Sequence, residues 1–427
     1  MSSPSRDVIA EIVDYNRPLT DEAHRVRDDE GSDLTREALL RKFDALARSP
    51  FAFFRGTFHL MTRDVLQARV AGAHAAAPES LIVGDLHLEN FGVYRGASGD
   101  LCFDVNDFDD VGMGPADFDV KRLCTSAYLL PGVPLASRQA AARAIARGWA
   151  DAIVRIGGRF PVAAYDDKAE SPVKELMHEH SAHTDAQMIA KAAPGPGHKK
   201  FACDGEPRKY ARATAAWEQV AQKAFGEYLE ALKQLKVTLK HSWSALDVAY
   251  RFKGTGSLGR LRFSVLIGAG DERRIVEIKE ARPSALDEAR GRAPSDNRAR
   301  AQTAAIRRLQ GSPWPLVAGT HLGKAQALCR EIQPSEEKIG TDRFSTAKGD
   351  ANHVELVSYA RQCGEVTARL HCRASAYGLL DDGAFDPAAA ARAAVAFAEK
   401  YAAQVEADQE AYLQARPAIA KALGLTA

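Results

Sequence analysis

Two acidic strings, each set at the end of an apolar strand, constrain this chain more than any other feature. Leu81-Ile82-Val83 is short, apolar and β-branched and stops at Gly84-Asp85, which predicts a buried strand that delivers Asp85 at its end. Further on, Asn90-Phe91-Gly92-Val93-Tyr94 and Leu101-Cys102-Phe103-Asp104-Val105 flank the turn-rich residues 95–100, the pattern of a β-hairpin. Behind the hairpin stands Asn106-Asp107-Phe108-Asp109-Asp110. Two carboxylate clusters therefore reach adjacent strand ends. A solvated acidic turn is the plainer reading of either string alone. Together, each behind an apolar strand, they point to one shared cleft with a proton acceptor and oxygen ligands for a hard cation.

Several function classes fall away on bulk properties. A formal net charge of +1 gives no basic field, so neither nucleic acid nor an anionic membrane surface is expected as a partner. No stretch has the length and apolarity of a membrane span, and the residues from Met1 to Asp7 carry no apolar leader core. Six cysteines, none in a CxxC pair, argue against a disulfide framework or zinc ribbon and fit a reducing cytoplasm. With 427 residues, 46% of them hydrophobic, the chain is long enough for two lobes.

Along the chain, Leu34, Leu39, Leu40, Phe43 and Leu46 recur at helical spacing, with Ser32 or Asp33 as cap. The aromatic-rich stretch 49–56, which includes Arg55, reads as a break that packs into a core. Ala-rich helices are expected over 137–156 and 207–239, separated by a mobile polar loop around 192–200. Strand candidates follow at 248–252, 261–267 and 274–279, then a helix from Ser295 to about Leu309, a strand at 327–332, and helix from Val354 to the end. His178, His180 and His183 lie within six residues beside Glu179 and Asp185. That composition can hold zinc but more often marks a solvated loop. Lys121 and Arg122 are expected to pair with acids.

Asp85 and Asn90 have the five-residue spacing that separates base and metal-binding amide in a kinase catalytic loop, and Asp107 supplies a second metal ligand. Gly254-Thr255-Gly256-Ser257-Leu258-Gly259 is a GxGxxG string lying between two strand candidates. It therefore fits a phosphate-covering hairpin better than a dinucleotide-binding turn, which would open a helix. Lys279 closes Val276-Glu277-Ile278-Lys279, and a lysine ending an apolar strand calls for a charged partner. An ordinary surface hairpin with an exposed lysine is the bland alternative.

The wider run Asp107, Asp109, Gly114, Asp119 resembles the metal-site segment of aminoglycoside phosphotransferases and choline kinases. The residues around Lys279 resemble the kinase phosphate-binding strand, and the helix ending in ARLH resembles the one that leads into the catalytic loop. Glycine loop and lysine follow the acidic strings here, whereas in ordinary kinases they precede them. A circular permutation reconciles the order. The strings SPFAFFRG, GDLHLENFG, FDVNDFDD, GPADFDVKRL, DVAYRFKGTGSLG, EIKEA and CGEVTARLH resemble the bacterial family catalogued as domain of unknown function 2252, over about residues 45–415. That family is similar to the protein-kinase-like superfamily.

The resemblance implies an α+β, two-lobed, circularly permuted kinase-like fold with a small antiparallel sheet lobe and a large, mainly helical lobe. Its parts would be an N-terminal helical segment (1–75), the catalytic-loop and metal-site part (76–240), a β-rich nucleotide lobe (241–335) and C-terminal helices (336–427). It implies an ATP-dependent phosphotransferase acting on a hydroxyl of a small molecule or protein, or an AMP transferase, or a nucleotide-binding pseudokinase. Asp85 would be catalytic and Asn90 and Asp107 would hold Mg2+. Gly254, Thr255, Gly256, Ser257, Gly259 and Lys279 would bind ATP, with His87, Asp104, Asp109 and Asp119 as accessories. Two departures stand out. Val83 occupies the place of a usual histidine before Gly84, leaving His87 as the nearest group to orient the loop. Lys279 lacks an acid at the usual distance, Glu280 and Glu288 coming too early and Gln302 being the polar residue on the helix.

Overall fold

The computed structural model describes residues 7–157, 171–205, 207–292, 297–334, 337–345, 352–374 and 385–425. The chain begins with helices α1 (Val8–Asn16), α2 (Leu34–Leu46), α3 (Pro50–Gly56) and α4 (Phe58–Leu66). Strands β1 (Glu79–Ile82), β2 (Phe91–Arg95), β3 (Leu101–Val105) and β4 (Gly112–Pro115) follow, then helices α5 (Ala116–Tyr128), α6 (Leu135–Ile156), α7 (Pro172–Ser181) and α8 (Asp185–Ala192). Next come β5 (Tyr210–Ala211), α9 (Ala215–Gln234), β6 (Ser244–Arg251), β7 (Arg262–Ala269), β8 (Glu272–Glu280), α10 (Ala285–Ala289) and α11 (Arg298–Leu309). The chain finishes with β9 (Val317–Leu322), β10 (Ala325–Ile332), β11 (Glu337–Lys338), α12 (Asn352–Ala374) and α13 (Pro387–Ala422). This is the expected mixture of α and β.

Local chemistry explains the boundaries. Asp33 caps α2 by accepting from the Arg36 amide at 2.8 Å. Residues 50–56, read from sequence as a break, form α3: Ser49 accepts from the Ala52 amide and Pro50 stands in the first turn, where its missing N–H costs nothing. Phe51, Phe53 and Phe54 are buried as expected of a core plug. The helix expected over 207–239 starts only at Ala215, because Tyr210 and Ala211 add an edge strand to β6. At the ends of the polar segment around 192–200, Ala192, Ala193 and Phe201 bury against Ala249, Leu266, Ile275 and Ile332, while residues 194–197, 199 and 200 are exposed. From Val354 the chain is helical as expected, with 375–384 outside the described residues, as are 293–296 at the start of the helix expected from Ser295.

The main sheet has six strands in the order β5-β6-β7-β8-β10-β9, each pair antiparallel. Sequence reading supplied four of these and missed β5 and β9, the first only two residues long and the second interrupted by Gly319. Alternation gives the sheet two unlike faces. Tyr250, Phe263, Val265, Val276 and Ile278 pack on Ala221, Ala224, Phe225 and Tyr228 of α9. The opposite face carries Arg262, Ser264, Glu277, Lys279 and Arg330 at one end.

The second body of structure is helical. Its main core runs through α5, α6, α12 and α13 and includes Trp149, Phe118 and Tyr359. Helices α6 and α12 touch backbone to backbone. A Cβ on Gly364 would fall 2.1 Å from the Ile145 carbonyl, and one on Gly148 would fall 2.5 Å from that of Arg361. Two small sheets, β1-β4 and β11-β2-β3, rest on these helices and carry the acidic strings. Among the described residues no helix is long and apolar enough to cross a membrane.

Candidate active-site cleft

The first acidic string is held by its backbone. After β1 the chain turns at Gly84, whose φ of +82° suits glycine, and a Cβ there would fall 2.7 Å from the Asp110 carbonyl. The two acidic strings are thus in contact through Gly84. Asp119, in the first turn of α5, accepts from the amides of Val83 (2.9 Å) and Gly84 (2.8 Å). Its Oδ2 also lies 3.1 Å from His371 Nε2. Trp149 donates its indole N–H to His371 Nδ1 at 3.0 Å, so Nε2 carries the proton and donates to Asp119. Asp119 is therefore a buried anchor. His371, the histidine of ARLH, supports the loop, a part the sequence reading left to His87.

Asp85 receives the Arg122 guanidinium at 2.9 Å from Nε. Arg122 is fully buried, lies 3.9 Å from the Phe54 ring centroid and gives a further hydrogen bond to the Phe54 carbonyl. Burial pushes the Asp85 carboxyl up to about 6, against the opposing pull of Arg122 and with help from Asp110. Asn90 donates from Nδ2 to the Asp85 carbonyl at 2.5 Å, which leaves its amide oxygen available. Arg55 donates from Nε to His87 Nε2 at 3.2 Å. Burial, Arg55 and Arg122 hold the His87 imidazole well below its usual value, so it is neutral. Glu89, between Arg55 and Lys338, ties α3 to the first acidic loop and to β11.

The second string answers the question of the lysine's partner. Lys279 pairs with Asp109 and lies 4.0 Å from Asp107. Arg260, which follows the glycine string, reaches Asp109 at 3.2 Å and Asp110 at 3.9 Å. Burial alone would raise Asp109; Lys279 and Arg260 outweigh it and hold the carboxyl well below the usual range. From α11, Gln302 donates to the Asp109 carbonyl at 3.0 Å and Arg298 to the same oxygen at 2.7 Å. Gln302 thus meets the acidic string through its backbone and leaves the lysine to Asp109. Asp104 lies elsewhere, buried with Arg373 (3.2 Å) and the Gly311 amide (2.9 Å), outside the cleft lining.

The glycine string joins β6 to β7 as a hairpin, with Gly254 at φ +87° and Gly259 at φ +92°. Gly254, Thr255, Gly256 and Ser257 line the cleft together with Asp85, Asn90, Asp107, Asp109 and Lys279. Gly259 does not. It faces Leu39 of α2, whose Cδ2 would be 2.5 Å from an added Cβ. The hairpin tip also leans on α3, a Cβ on Gly256 falling 3.0 Å from the Arg55 carbonyl. Arg122 and Lys121 pair with acids as expected, Asp85 and Asp117 respectively, whereas Arg260 and Arg298 were not singled out from sequence, and nothing in local spacing marks them.

A divalent cation fits this donor set. Asn90 and Asp107 offer hard oxygens on one cleft, and magnesium commonly takes one or two protein ligands, leaving the rest to phosphate and water. No group of three or more His, Cys, Asp or Glu that could hold a metal occurs among the described residues. His180 and His183 face each other at 2.8 Å, apart from this cleft.

The chain is thus a mixed α and β protein whose two acidic loops, glycine hairpin and strand lysine meet in one cleft. It belongs to the bacterial family described as an uncharacterized protein conserved in bacteria (DUF2252), which matches residues 35–415. No curated protein and no solved structure matches it.

Proposed function

We propose that this chain is a metal- and ATP-dependent transferase that moves a phosphorus-containing group to a hydroxyl acceptor, on a two-lobed, circularly permuted kinase-like fold. One observation carries the reading: Lys279, Asp107, Asn90, Asp85 and the glycine hairpin, scattered over nearly two hundred residues, line the same cleft. Lys279 would hold phosphate oxygens, the hairpin would cover them, and Asn90 and Asp107 would hold magnesium, which neutralises charge on the phosphates. Asp85 would orient the acceptor hydroxyl and take its proton.

The γ-phosphoryl group is the cargo if the nucleotide lies as in ordinary kinases, and AMP is the cargo if it lies reversed. ATP labelled at the α or the γ position, followed into product, separates the two. A regulatory nucleotide-binding role without turnover is the second reading, favoured by the Arg122 pair that occupies Asp85. It requires stabilisation by Mg-ATP with no label in any product. Absence of any Mg-ATP effect on the melting temperature would overturn all three readings.

A further inference from the structure

We infer that the sheet side of this cleft is built for the phosphate chain of the nucleotide rather than for its base, an inference that rests on the ATP binding proposed above. A base stacked against a strand needs flat, apolar backing. Strand β8 does not give it. Two residues before Lys279, on the same face, stands Glu277, 3% exposed, and its carboxylate is gripped by Arg262 at 3.2 Å and Arg251 at 3.4 Å. The register sets Arg330 of β10 directly opposite Glu277, and Arg262 of β7 opposite Lys279. Lys253, at the foot of the glycine hairpin, lines the cleft with them.

A purine inserted here would strip water from a buried ion pair and return no hydrogen bonds. A phosphate chain would do the opposite. Guanidinium groups present forked donors that match phosphate oxygens, and Glu277 fixes the Arg262 fork by accepting from Nη2 at 3.3 Å while Lys253 accepts from Nη1 through its carbonyl. The sheet side of the cleft thus contributes Lys253, Arg262, Lys279 and Arg330 against one carboxylate, Glu277. Burial would raise that carboxyl; Arg262 and Arg251 hold it well below the usual range, so it stays ionised as a brace.

The test titrates magnesium tripolyphosphate and adenosine separately against the full chain, following the melting temperature of wild type, Arg262→Met and Arg330→Met. Tripolyphosphate is expected to stabilise wild type and compete with ATP. Both variants should bind it roughly tenfold more weakly or worse, while adenosine responds alike in all three. Arg262→Lys, which keeps the charge and loses the fork, replaces Arg262→Met if circular dichroism shows the latter unfolded. Tripolyphosphate affinity unchanged in the folded variants, or adenosine affinity lost in its place, overturns the inference while ATP binding stands. A wild type indifferent to ATP overturns the transferase reading as well.

Discussion

His371 and Asp119 meet at 3.1 Å across 252 residues of sequence, and through Asp119 the histidine steadies the turn that presents Asp85. The pair is fully buried. It joins α12 to the start of α5 at the point where both acidic strings depend on backbone position.

Replacing Asp119 by alanine strands the amides of Val83 and Gly84 and the Nε2 proton of His371. Each orphaned buried donor costs about 1–3 kcal/mol, so a loss of at least about 3 kcal/mol is expected in urea unfolding of Asp119→Ala. A smaller effect than for a surface alanine substitution would show that the turn is held by other means.

Lys279→Met should abolish stabilisation by Mg-ATP and leave the fold intact, because Asp109 keeps Arg260 as a partner. Mg-ATP titration with thermal melting of the apo protein as control reads both effects. Undiminished binding in Lys279→Met would remove the lysine from the nucleotide site.

Asp85 titrates near pH 6. If its carboxylate takes the acceptor proton, turnover rises with pH through that value and levels above it, and the rise disappears in Asp85→Asn. The profile of kcat/KM from pH 5 to 8 measures this. A flat profile in wild type would assign Asp85 to positioning alone.

Lys42 is fully buried, with its ammonium 2.7 Å from Asn16 Oδ1. Burial, then Arg260 and Arg282, lowers its pKa to about 7. Between pH 7 and the value of an unfolded lysine, the unfolded chain binds the extra proton, so stability rises with pH across that window. Below pH 7 the penalty is present in full. Lys42→Met should therefore gain on the order of 3 kcal/mol at pH 6 and little near pH 10, compared by denaturant unfolding at the two pH values.

What the sequence disclosed, and what it hid, follows from the range of the interactions. Leu81-Ile82-Val83 and the hairpin around 95–100 obey local rules of alternation and turn chemistry, and they form where expected. The glycine hairpin was legible because strands flank it. Residues 50–56 carried a helix signal as well, a serine cap followed by proline, outweighed in reading by their aromatic run. The partner of Lys279 was not legible by analogy with helix-borne acids, since Asp109 comes 170 residues earlier, from the second acidic string. His371 was invisible in its role for the same reason: the residue it supports is specified by tertiary packing, and no spacing rule links an ARLH helix to Val83 and Gly84.

A chain made from its N-terminus emerges in order. The turn at Val83 and Gly84 is synthesised early, yet its anchor Asp119 lacks the Nε2 proton of His371 until most of the polypeptide has been added. Growing chains that already contain both acidic strings and the glycine hairpin therefore lack this support of the Val83 and Gly84 turn, which can form only late in synthesis.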